Sequence, residues 1–149
     1  MTLPSRIRQY DVFTQPRQWA RCREAGWYHL SRARRAIDRA DWDEAARHAR
    51  KALQWDDTRA ANFLALGEAL MRRPQPDLPG ARAALEAAFE LDPSNSYIVE
   101  RLRSVYERLG DGPAAARMLR LALAAGAPAQ VWGPELARLE SGAQMPLAS

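Results

Sequence analysis

Two histidines, a lone cysteine and a short run of carboxylates are the side chains of this 149-residue chain that could do chemistry. Cys22 and His29 stand seven residues apart, so on a helix they could share one side as a thiol and its base. Activating a thiolate also needs a cationic, accessible setting, and a packed, reduced Cys22 is the expectation. His48 has neither a second imidazole nor a thiol at metal-ligand spacing and is expected at a helix surface. Asp41, Asp43 and Glu44 could serve acid–base or cation chemistry, yet they fall where a helix begins. There, carboxylates satisfy unpaired backbone N–H groups and the helix dipole, and capping suffices to explain them. No phosphate loop, dinucleotide fingerprint or His-Glu-x-x-His pattern is present in the sequence. The expectation is a non-catalytic protein with no catalytic residue, no cofactor and no metal site.

The charge is uneven. Residues 1–40 carry nine arginines against Asp11, Glu24 and Asp38, interleaved with Tyr10, Trp19, Trp27 and Tyr28. Phosphate-neutralising arginines and stacking aromatics are the ingredients of a nucleic-acid site. Against that reading, Arg32, Arg34, Arg35 and Arg39 are expected to point several ways around a helix, and no nucleic-acid-binding motif is present. With Lys51 the only lysine, arginine abundance reflects coding bias more than recognition. Cys22 allows no intrachain disulfide, which suits a reducing compartment. Arg6 and Arg8 precede no apolar run, and no stretch reaches membrane-spanning length. A cytoplasmic protein without membrane insertion is expected.

The elements that position these residues are helices. Alanine, leucine, arginine and glutamate dominate while valine and isoleucine are few, a composition that favours helix over strand. Segments 43–57, 79–93 and 112–127 repeat one another through Ala45/Ala49/Ala52, Ala81/Leu85/Ala88 and Ala115/Leu119/Ala122, spaced i, i+4, i+7 and set 36 and 34 residues apart. That spacing puts each triplet on one helical face, and the small side chains admit close neighbours. Leu53, Phe89 and Leu123 follow the triplets in turn. A second helix precedes two of these segments, marked by Phe63, Leu66, Gly67 and Leu70 and by Val99, Leu102 and Tyr106. Turn signals separate the members of each pair at 39–41, 74–80 and 110–112.

Pairs of helices at this period resemble the tetratricopeptide repeat family, whose pattern is aromatic-x-x-Leu-Gly-x-x-Tyr, then two alanines, then proline. The middle unit supplies Phe63, Leu66, Gly67, Leu70, Ala81, Ala88 and Pro93; the third supplies Leu102, Tyr106, Gly110, Ala115 and Ala122. The first unit admits two registers. One sets Trp27, Leu30 and Ser31 against Phe63, Leu66 and Gly67; the other, two residues on, sets Ala33 against Gly67 and Ala36 against Leu70. Isolated within its helix, Gly67 is expected to serve close helix packing.

The resemblance implies an all-α, short right-handed solenoid of antiparallel helix pairs with capping helices at both ends. The expected division is an N-terminal arm (1–14), repeat units at about 25–57, 58–94 and 95–127 within a domain of 15–140, a closing helix at 128–140 interrupted at Gly133-Pro134, and a mobile tail (141–149). The first helix is expected at about 15–39. The implied function is a protein-interaction scaffold, adaptor or chaperone-like, holding a peptide or helical segment in a concave groove. Groove positions of the family translate to Leu64, Glu68 and Met71 in the second unit and to Tyr97, Glu100, Arg101 and Ser104 in the third. In the shifted register Leu30, Arg34 and Ile37 join them. Family members that clamp a chaperone's C-terminal carboxylate use lysine and asparagine, where this chain has Arg34, Ala65 and Ser104, which argues against that ligand. Small size and a mostly apolar groove are shared with bacterial secretion chaperones. The alternatives are a self-assembling structural subunit or a basic nucleic-acid binder. The arm, through Tyr10, Val12 and Phe13, is expected to compete for the groove or to mediate self-association.

Overall fold

The computed structural model describes residues 4–144. Its helices are α1 (Pro16–Asp38), α2 (Trp42–Trp55), α3 (Ala60–Arg72), α4 (Leu78–Leu91), α5 (Ser96–Leu109), α6 (Gly112–Ala124) and α7 (Ala129–Gln144), with one turn of 3-10 helix at Arg6–Gln9 before them. Among the described residues there is no strand. The chain divides into two compact units, Met1–Leu91 and Asp92–Ser149.

The helix starts are written in short-range chemistry. Asp41 accepts a hydrogen bond from the Glu44 N–H, Asp77 from the Gly80 N–H and Asp111 from the Ala114 N–H, at 3.3, 2.9 and 3.1 Å. Each aspartate's own N–H donates back to a carbonyl of the preceding helix, that of Ala36, Leu70 and Tyr106 respectively. The three turns are therefore equivalent, and they make Ala36, Leu70 and Tyr106 equivalent too. The shifted register of the first unit follows, and the middle turn is the longer by two residues. Asn95 caps α5 through the N–H groups of Tyr97 and Ile98.

In the first unit the alanines of α2 do what their spacing implies. Ala45, Ala49 and Ala52 are inaccessible to solvent, and α1 and α3 pack against α2. The space left by these small side chains is filled by Leu30, which is wholly buried in a cluster with Ala33, Ala49, Ala52 and Ala65. On the other side of α3, Gly67 faces Leu85 of α4, so closely that a Cβ there would lie 2.5 Å from Leu85 Cγ. The second unit repeats the scheme on a smaller scale: α5 and α7 both pack on α6, or lie against it, with Ala115, Leu119, Ala122 and Trp132 buried.

Several expectations are corrected. Helix α7 runs unbroken through Pro134. The backbone bond that this proline forfeits is the one to the Gln130 carbonyl, in the exposed first turn of the helix. Residues 141–144, expected in a tail, belong to α7; residues 145–149 lie outside the described residues. Helix α4 begins at Leu78, inside the stretch expected to be turn. His48 is buried, not superficial, because His29 and Glu44 satisfy its two ring nitrogens.

Candidate functional site

Helix α1 is amphipathic along its whole length. Cys22, Gly26, Leu30, Ala33 and Ala36 form its buried side, and Trp19, Arg23, Trp27 and Arg34 run along one flank. Trp27 is 49% exposed and carries two guanidinium groups at its ring, those of Arg34 and Arg59, at 5.7 and 5.4 Å from the ring centroid. Such contacts hold both partners in place without consuming the outward donors of the guanidinium.

What fixes Arg59 is a buried aspartate. Asp56 is fully inaccessible and lies 3.4 Å from both Arg23 and Arg59. Its Oδ2 atom and the Arg59 Nε are ion-paired at that distance but make no hydrogen bond; the hydrogen bonds go to Oδ1, from the Thr58 hydroxyl at 2.5 Å and the Thr58 N–H at 2.9 Å. Asn62 donates to the Asp56 carbonyl at 2.7 Å. Glycine is required at position 26, since a Cβ there would sit 2.9 Å from the Asp56 Cβ. Gly26, Asp56 and Asn62 thus form a tight polar joint under the Trp27 face.

The expected groove residues of α1 and α3 separate into accessible ones and ones in the core. Arg34 is exposed, and Ile37, Leu64 and Glu68 are half-buried, with Glu68 bonded to Arg72 at 2.9 Å. Leu30 and Met71 are corrected: Leu30 is 0% and Met71 7% exposed. Leu30 is drawn inward by the alanine surface of α2. Met71 follows Ala69 and Leu70 on a helix that is apolar around most of its circumference, and such a helix is buried on more than one side.

In the second unit, Tyr97 is 73% exposed at the start of α5, while Glu100, Arg101 and Ser104 are half-buried. Glu100 is engaged by Arg103 at 2.8 Å, and Arg103 also reaches Glu107 and Glu135 at 3.0 and 3.6 Å. These carboxylates hold the Arg103 guanidinium above its ordinary pKa. The network ties α5 to α7. Trp27 itself was missed as a site residue by sequence reasoning; its signal is the i, i+7 spacing to Arg34, together with the equivalence of Trp27 to Ala61 and Tyr97 that the turns establish.

The arm does not cover its own unit's face. Ile7 is buried, Arg6 lies over the Trp55 ring at 4.2 Å, Arg8 pairs with Asp57 at 2.8 Å, and Ser5 Oγ accepts from the Asp57 N–H. The arm is therefore fastened to the end of α2, and Val12 and Phe13 are left 40% and 91% exposed. The expectation of an intramolecular competitor fails on that anchoring.

No family model matches the chain, and no curated protein matches it in sequence. Solved structures do. The TPR domain of Arabidopsis OM64 superposes with a TM-score of 0.66 at 18% identity, covering 80% of this chain and 98% of that one. The fold is the tetratricopeptide repeat fold. The first TPR of Spaghetti (RPAP3), bound to the HSP90 peptide SRMEEVD, gives a TM-score of 0.68 at 14% identity over 83% of this chain and 98% of that one. MamA gives 0.65 at 20% identity over 80% of this chain and 64% of that one. At these identities the shared property is the tetratricopeptide architecture itself, which accounts for the small-residue faces of α2, α4 and α6 and for the Gly67–Leu85 contact.

Proposed function

We propose that the chain is a non-catalytic, cytoplasmic protein-interaction scaffold, adaptor or chaperone-like, that holds a segment of another protein on the accessible faces of its odd-numbered helices. Each compact unit is read as presenting a candidate face of its own: Trp27, Arg34, Ile37, Leu64 and Glu68 in Met1–Leu91, and Tyr97, Glu100, Arg101 and Ser104 in Asp92–Ser149. The observation that carries the reading is Trp27, a half-exposed aromatic immobilised between Arg34 and Arg59. A large aromatic already fixed in place binds with little loss of side-chain entropy, and aromatics and arginines dominate binding energy at protein interfaces. A neighbour of the same fold is bound to a peptide, which supports a segment as the type of ligand.

The test is capture of the partner from native lysate by the parent chain and by two double variants, Trp27→Ala/Arg34→Ala and Tyr97→Ala/Arg101→Ala. The partner is expected to be lost from at least the first variant while circular dichroism stays helical. Retention of the same partner by both variants at the parent's affinity excludes these faces.

A further inference from the structure

Helix α1 presents a second surface, on the side away from its core. At 3.6 residues per turn, Arg17, Arg21, Tyr28, Arg32, Arg35 and the C-cap residue Arg39 fall within about 60° of arc. All six are exposed. At 1.5 Å per residue the stripe runs about 27 Å from Arg17 to Arg35. Among the described residues none of its five arginines has a carboxylate within 4.0 Å, in contrast to the paired Arg23, Arg47, Arg59 and Arg103. Glu24 borders the stripe without neutralising it. The expectation that these arginines point several ways is corrected for Arg32, Arg35 and Arg39; Arg34 alone turns to the Trp27 face.

From this arrangement we propose that α1 docks the protein on the anionic surface of a lipid bilayer, as a peripheral contact and not an insertion. A plane meets a cylinder along a line, so side chains confined to a narrow arc of a straight helix reach a flat surface together. A flexible nucleic-acid strand is held instead by walls that enclose its phosphates, and a stripe on a convex helix has none. Arginine's long stem carries its fork to a lipid phosphate while the helix stays above it. Tyr28, midway along the stripe, is an aromatic of the kind that settles at headgroup level. Just before α1, Phe13 is 91% exposed on a turn fixed by Asp11, whose carboxylate accepts from the N–H groups of Phe13 and Thr14 at 2.6 and 3.2 Å. It supplies the apolar contact that arginines lack. No helix among the described residues is long and apolar enough to cross a membrane. Around α1 the stripe is turned from Trp27 by about 80° of arc or more, so contact through the stripe would leave the Trp27 face free.

Flotation of the full chain with vesicles tests this. The parent is expected to float with phosphatidylserine-containing vesicles, to ignore pure phosphatidylcholine, and to be released as salt is raised. Arg32→Glu/Arg35→Glu should lower partitioning by about a hundredfold, whereas Arg82→Glu/Arg117→Glu, with the same change in net charge, should leave it within a few-fold. If circular dichroism shows the glutamate pair to have lost helicity, Arg32→Gln/Arg35→Gln carries the comparison with about a tenfold loss expected. The proposal is overturned if the parent stays unbound, if both double variants lose binding equally, or if duplex DNA displaces the protein from the vesicles at matched phosphate concentration.

Discussion

The Nδ1 atoms of His29 on α1 and His48 on α2 lie 3.4 Å apart, with the two rings stacked and the far nitrogen of His48 against Glu44 at 2.9 Å. One Nδ1 must donate and the other accept, so the bond across the helix pair requires that at least one imidazole be neutral. With His48 Nε2–H donated to Glu44, the neutral arrangement has His29 donating to His48.

A pH dependence follows, with a definite sign. Burial, then His48, Lys51 and Arg32, hold the His29 pKa below its ordinary value. The unfolded chain therefore takes up a proton at His29 more readily than the folded one, and stability falls as pH drops below about 6.5, until the folded form also protonates. Thermal unfolding of the parent should show this loss between pH 7.5 and 5.5. His29→Gln keeps a donor without titrating and should show a flatter profile; an unchanged pH dependence in that variant would assign the effect to other groups.

Gly67 makes a sharper claim about packing. A methyl group there meets Leu85 Cγ and Cδ2 at 2.5 and 2.8 Å, and Leu85 is wholly buried. The strain of overpacking, about 1–3 kcal/mol, outweighs the gain of about 1 kcal/mol in helix propensity. Gly67→Ala should lower the urea midpoint without changing the slope. A stabilised variant would mean that α3 and α4 can move apart freely.

The turns explain how much of the architecture was legible. Caps are local, so Asp41, Asp111 and the alanine triplets could be read directly, and with them the all-helical fold and the pairing. The register of α1 could not, because the turn between Leu70 and Asp77 is two residues longer than its counterparts and moves the apparent period. Nor could the fates of Leu30 and Met71, since burial there depends on how closely three helices approach and not on the spacing within one. Arg32, Arg34, Arg35 and Arg39 alone hide the arginine stripe, since Arg34 turns to another face; it emerges once Arg17 and Arg21, near the start of the same helix, are set beside the other three.

One of the equivalent turns is strained, and this too can be tested. Ala40 holds φ at 57° where the corresponding Gly110 holds 71°, a left-handed conformation that penalises a Cβ. Relief of that strain exceeds the extra chain entropy of glycine, so Ala40→Gly should stabilise the protein by about 0.5–1 kcal/mol. Gly110→Ala should destabilise it by a similar amount. Both are read from urea unfolding, and the two shifts must be opposite in sign.

The last prediction separates the joint under Trp27 from the surface above it. Asp56 is buried, its Oδ2 ion-paired with Arg23 and Arg59 and its Oδ1 accepting from the Thr58 N–H and hydroxyl, so Asp56→Ala should cost about 2–3 kcal/mol of stability. Arg59→Ala removes one of the two cations beside that buried carboxylate and leaves Arg23 in place, so that variant should lose less, about 1–2 kcal/mol. What Arg59→Ala does remove is one of the two cations holding the Trp27 ring, which frees the ring and raises the entropy that binding must remove. Partner affinity should therefore fall about threefold to tenfold in Arg59→Ala, and further in Trp27→Ala, where truncating an anchor aromatic costs about 2 kcal/mol or more. Stability from urea unfolding and affinity from calorimetry with the captured partner distinguish the two effects. Equal affinity in the parent, Arg59→Ala and Trp27→Ala would remove the Trp27 face from the interaction while leaving the fold and its buried joint untouched.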